Sequence, residues 1–194
     1  TGVQTCALPI SSNMTVVTGV RKLSDASASI LTELSADTNG NSGMYVAAPY
    51  SAGGNYGVAS RGTSIVASVT PSNYSAPISN IISNVSNISA PTVSILVNGI
   101  QQVTNTASQG TGTYGNYPLY LFARGGTSLW FNGQFYGAII RGASTDNPNL
   151  YYAENYINNK IGNIYNNYNQ SGWYVTTETP DYVNDELGNR LLTD

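Results

Sequence analysis

The chain has 194 residues, a formal net charge of −3, no histidine and one cysteine. Only 9 % of its residues are charged, against about 25 % in an ordinary globular domain, while serine, threonine and asparagine make up about a third. These figures exclude a histidine-based triad, a disulfide scaffold and the clustered basic footprint of a nucleic-acid binder, and 41 % apolar residues exclude a chain too polar to collapse.

The first ten residues, TGVQTCALPI, stand apart. They lack the basic start and the run of about 7–15 apolar residues that a secretory signal needs. Gly2, Gln4, Thr5 and Pro9 break any two-residue alternation. Read as codons, the segment resembles the in-frame translation of a sequencing-library adapter, with the codon of Ser11 supplying the adapter's final T. Residues 1–10 are therefore expected to be foreign, Cys6 carries no redox or metal information, and the source is expected to be a metagenomic contig. The natural N-terminus, with one or more opening strands, is then expected upstream of Ser11.

From Ser11 onward the pattern is short β-branched and aromatic stretches parted by glycine turns. Strands are predicted at 16–23, 29–35, 44–48, 56–60 and 63–70, with turns at Asn39-Gly40 and Arg61-Gly62. In APISNIISNVSNIS the isoleucines fit both a helical and an alternating period, but repeated Asn and Ser make a poor helix interior, so a strand is predicted. Strands at 92–97 and 100–106 flank Asn98-Gly99, the pair that a type I′ hairpin turn favours because both central residues need positive φ. Strands at 119–124 and 135–141 follow. FYGAIIRG is apolar on both faces, which predicts a strand inside the sheet rather than at its edge.

One helix is predicted, with Asn147 as N-cap, Pro148 in the first turn, Leu150, Ala153, Ile157 and Ile161 on one face, and Gly162 as its stop. It is expected to cover an open end or edge of the β body. Residues 166–194 read as a polar tail holding half of the acids, with a small hairpin around Gly188-Asn189.

TVSILVNGIQQV, LYLFARGGTSLWFNGQFYGAIIRGAS and LYYAENYINNKIG together resemble the second half of a laminin G-like, concanavalin A-like lectin/glucanase jelly roll. GVRKLSDAS and LYLFARGGTSLWFNG further resemble the variant found in bacteriophage tail and other virion proteins. The resemblance implies an all-β, antiparallel two-sheet sandwich over residues 11–165, N-terminally truncated, with one late helix. It also implies a virion location, other virion proteins as neighbours and self-association.

Glycoside hydrolysis on such a sandwich needs two carboxylates facing each other about 5–5.5 Å apart. No strand carries an alternating acidic run: Glu33 stands alone, Asp25 and Asp37 fall at turns, and Glu154 is on the helix, so all read as solvated surface groups. No cofactor is expected. Laminin G-like domains often hold calcium, for which Asp37, Asn39 and Asp146 are candidates by residue type. Binding is the better expectation, since sugars are held by aromatic faces with amides and hydroxyls at the rim. Tyr56, Tyr74, Tyr114, Tyr117, Trp130 and Asn132 sit in predicted loops with that composition. The expected function is a non-enzymatic virion module touching host-surface carbohydrate. The alternatives are a secreted bacterial carbohydrate-binding or adhesion module, or a glycosidase with its acids in the missing part.

Overall fold

The computed structural model describes residues 11–36, 40–162, 182–184 and 190–192. Among the described residues twelve strands and one helix follow in chain order: β1 (Asn13–Lys22), β2 (Ile30–Leu34), β3 (Gly43–Ala47), β4 (Gly57–Arg61), β5 (Ile65–Val69), β6 (Ile78–Asn87), β7 (Thr92–Val97), β8 (Ile100–Asn105), β9 (Leu119–Leu121), β10 (Gly133–Arg141), α1 (Asn147–Ile161), β11 (Tyr182–Asn184) and β12 (Arg190–Leu192). The first sheet runs β10-β1-β6-β7-β8 and the second β5-β4-β3-β2-β9, all pairs antiparallel. The described residues thus form an all-β jelly-roll sandwich with one helix late in the sequence, as the resemblance implies.

Alternation sorts the side chains between core and surface. Met14, Val16 and Val20 of β1, Ile82 of β6 and Val93, Ile95 and Val97 of β7 meet Leu34, Met44, Val46, Val58 and Val66 of the second sheet in one buried cluster. Each such side chain contributes about 1.5–3 kcal/mol by leaving water. The ambiguous segment at 78–87 is a central strand that serves both faces: Ile82 points into the sandwich, and Ile81 and Val85 point out toward α1. That double duty is why its isoleucines fit two periods. Asn98 (φ 51°) and Gly99 (φ 77°) form the predicted turn between β7 and β8.

Three expectations are corrected. β10 is an edge strand, not an interior one. It is apolar on both faces because Ile140 packs into the sandwich while Ile139 packs under the helix. The helix covers neither an end nor an edge but the outer face of the first sheet, where Leu150 and Ile157 join Val17 and Ile81. Its cap is Asp146, one residue before Asn147: the Asp146 carboxylate accepts the Asn149 N–H, which leaves Asn147 at the first helical position and Pro148 at the second. Gly162 ends the helix in the left-handed region (φ 96°) and donates its N–H to the Asn158 carbonyl. Among the described residues no helix is long and apolar enough to cross a membrane. In the predicted tail, β11 pairs with β12; Gly188 and Asn189 between them lie outside the described residues.

Candidate functional site

Strand pairing in the second sheet builds one row of outward-facing positions across four strands. Tyr120 of β9 lies opposite Glu33 of β2, Glu33 opposite Tyr45 of β3, and Tyr45 opposite Ala59 of β4. Met44 and Val46 flank Tyr45 and point into the core, so alternation fixes Tyr45 on the outside. Of the neighbouring outward positions on β3 and β4, Gly43, Ala47 and Gly57 are small, and Arg61 stands opposite Gly43. Tyr50 lays its ring over Gly57, where a Cβ would overlap it, and so joins the same face.

The tongue after β9 adds a cation. Arg124 is bridged to Ser128 around a Gly125-Gly126 turn. Its guanidinium lies over one face of the Tyr45 ring, 4.9 Å from the centroid, and its Nε is 3.4 Å from Glu33 Oε2. Ser35 Oγ donates to Glu33 Oε1 at 2.6 Å. Burial pushes the Tyr45 phenol up to about 12, Tyr50 adding to the rise and Arg124 opposing it. Beside the row, a shallow cleft is lined by Glu33, Ser35, Tyr45, Arg61 and Ile65. The face therefore combines rings, a held guanidinium, a second arginine and hydroxyls, a set able to grip a polyhydroxylated ligand by stacking and hydrogen bonds.

The residues picked from the sequence fall elsewhere. Tyr56 (0 % exposed) and Tyr114 (1 % exposed) are core residues; the Tyr56 hydroxyl takes a bond from Asn80 Nδ2, and that of Tyr114 bonds Ser60. Tyr74 stacks on Tyr56 at 4.8 Å, and Tyr117 packs against the core. Trp130 (63 % exposed) and Asn132 are at the surface, on the tongue between β9 and β10. Of the calcium candidates, Asp146 is the helix cap, and Asp37 and Asn39 lie outside the described residues. Among the described residues no group of three or more His, Cys, Asp or Glu gathers.

Glu33, Glu154 and Asp25 are not the freely solvated groups expected, and Asp37 lies outside the described residues. Glu33 is buried against Ser35 and Arg124, Glu154 is buried against Ser83 on the other sheet, and Asp25 pairs with Lys22. Each engages a different partner in a different part of the fold, and none of these contacts joins two acids. Alternation within GMYVA could have flagged Tyr45, because a ring between two core positions of a half-buried strand points outward. The Tyr120–Glu33–Tyr45 row had no local signal, being a product of pairing between distant strands.

No protein family matches the chain, and no curated protein does. Solved structures do match. The CBM40 domain of the Ruminococcus gnavus IT-sialidase, bound to α2,3 sialyllactose, is 18 % identical with a TM-score of 0.57 over 76 % of this chain and 83 % of that one. A heptameric SAP-like pentraxin from Limulus polyphemus is 10 % identical with a TM-score of 0.58, over 72 % of this chain and 68 % of its own. A leech intramolecular trans-sialidase complexed with 2,7-anhydro-Neu5Ac is 16 % identical with a TM-score of 0.58, over 75 % of this chain and 23 % of its own. At these identities what is shared is the fold, a two-sheet jelly-roll sandwich.

Proposed function

We propose that the chain is a non-catalytic carbohydrate-binding module that takes its glycan on the outer face of the second sheet. The row Tyr120–Glu33–Tyr45 with Arg124 held over the Tyr45 ring carries this reading. Tyr120 offers a ring, Tyr45 positions the guanidinium, and Ser35 holds the carboxylate that the guanidinium pairs with. Two of the structural neighbours hold sialic-acid ligands, and a guanidinium is suited to a sugar carboxylate, so sialylated glycans are the first to try. A non-catalytic role is supported by the separate engagements of Glu33, Asp25 and Glu154. The neighbours favour an extracellular setting over a virion. The virion tail is kept as the second reading because of the resemblance carried by GVRKLSDAS and LYLFARGGTSLWFNG.

A glycan array followed by calorimetry on the hits tests the proposal. Micromolar to millimolar binding of a glycan supports it, and no binding to sialylated or neutral oligosaccharides removes it. The genes beside this one separate the two settings: tail and baseplate genes for the virion, transport and hydrolase genes for a secreted module.

A further inference from the structure

We infer that the seam between α1 and the first sheet is an acid-strengthened latch whose closing group is Glu154. The side chain sits on the packed side of the helix with Leu150 and Ile157 and is 3 % exposed. Its carboxyl receives a hydrogen bond from Ser83 Oγ of β6 at 2.6 Å, and the surrounding seam is the apolar cluster of Val17, Ile81, Leu150 and Ile157.

The other charged groups of the elements in this seam are engaged elsewhere or exposed. Lys160 of α1 lies over the Tyr156 ring, 5.2 Å from its centroid. Arg141 of β10 is exposed and donates to Thr145, and Arg21 near the end of β1 is exposed. Asp146 caps the helix, and β6 brings no titratable side chain. Lys22 of β1 points to the opposite side of that strand and pairs with Asp25. The remaining titratable groups on α1 are Tyr151, Tyr152 and Tyr156.

A carboxylate held by the Ser83 hydroxyl in an apolar seam is unfavourable, whereas the neutral acid is tolerated. Burial accordingly raises Glu154 from 4.5 to about 7, with the Ser83 bond pulling the other way. When α1 lifts, water restores the ordinary value. The seated helix therefore gains its full advantage below pH 4.5 and loses it as the pH rises toward about 7, beyond which both states are ionised and the dependence ends. Lifting becomes easier by roughly tenfold per pH unit within that window, and on the order of a hundredfold across it.

Hydrogen exchange of α1 amides, compared at each pH between wild type and Glu154→Gln, reads this directly because intrinsic exchange cancels. The ratio of wild-type to variant rates is expected to rise on the order of a hundredfold from about pH 4.5 to pH 7.5 in α1, and to stay constant for the β7 amides. A constant ratio in α1 overturns the latch. An equal rise in β7 also overturns it, since Glu154 would then hold the whole fold rather than the helix. If Glu154→Gln does not fold, carbon NMR of the wild-type Glu154 carboxyl decides: a midpoint near 7 sustains the latch, and one in the ordinary carboxylate range ends it.

Discussion

Gly19 and Gly137 lie directly opposite each other on β1 and β10, and Ile157 of α1 fills the slot that their missing side chains leave. A Cβ on Gly19 would overlap Ile157 Cγ2 and press on Ile161 Cδ1 at 2.8 Å. Gly19→Ala must therefore push the helix off the sheet or force its side chains off rotamer, a cost of about 1–3 kcal/mol. Urea unfolding should show that loss. Combining it with Ile157→Ala should cost less than the sum of the two single changes, because the smaller side chain vacates the space; strict additivity would mean the slot does not exist.

Lys22 is 0 % exposed, and its ammonium meets the Asp25 carboxylate, the Gly54 carbonyl at 3.0 Å and the Tyr56 ring at 4.9 Å from its centroid. The two partners are not equivalent, because Asp25 retains access to water while Lys22 has none. Asp25→Asn should cost about 3–5 kcal/mol by stranding a buried cation. Lys22→Met should cost less, since Asp25 can turn to solvent while keeping its bond from the Ala76 N–H. Burial pushes the Asp25 carboxyl up, but the bond from Lys22, the Ala76 amide and the lysine's charge together bring it below its ordinary 3.8. Its contribution is thus present above pH 3.8 and is lost as the pH falls through the lower folded value. Acid unfolding followed by circular dichroism should show that component in the wild type and not in the double variant Asp25→Asn/Lys22→Met.

Asn98 does two things at once. It supplies the first positive φ of the β7–β8 turn, and its amide ties that turn to β6: Oδ1 accepts the Ile81 N–H at 2.8 Å and Nδ2 donates to Asn80 Oδ1 at 2.7 Å. Asn98→Ala should lose both effects, a total of about 2–3 kcal/mol. Asn98→Gly keeps the turn but not the amide and should cost measurably less. Equal losses in the two variants would mean that the bonds to β6 carry everything.

How much of this could be read beforehand depends on whether the cause is local. Asn98-Gly99, Pro148 and Gly162 act within a few residues, so the hairpin and the helix with its stop are visible in the sequence. β10 misleads because a strand under a helix is apolar on both sides wherever it stands in the sheet; the same double duty gives β6 its two periods, of which the alternating one is the strand observed. Asn147 and Asp146 differ by one position, and both are good caps; the structure chooses the carboxylate. Rings beside glycine and asparagine looked like loop binding groups, yet Tyr56 and Tyr114 find Asn80 and Ser60 far along the chain and go inside. Glu33 and Glu154 looked solvated for the same reason: Arg124, Ser35 and Ser83 become their partners only after folding.

The last expectation separates two candidate surfaces for the glycan. Tyr120 and Arg124 belong to the face of the second sheet, whereas Trp130, exposed on the tongue, belongs to the β9–β10 edge. Tyr120→Ala should weaken a glycan hit by about tenfold or more, worth about 1.4 kcal/mol, while Trp130→Ala leaves it unchanged. The reverse result moves the site to the edge. Arg124 needs a paired change, because removing it alone would leave Glu33 charged and buried and confuse instability with lost binding. Arg124→Gln with Glu33→Gln avoids that. If the guanidinium reads a sugar carboxylate, this pair should abolish the preference for a sialylated oligosaccharide over its neutral counterpart while leaving binding of the neutral one nearly as it was. An equal loss for both would assign Arg124 to shaping the face rather than to reading charge.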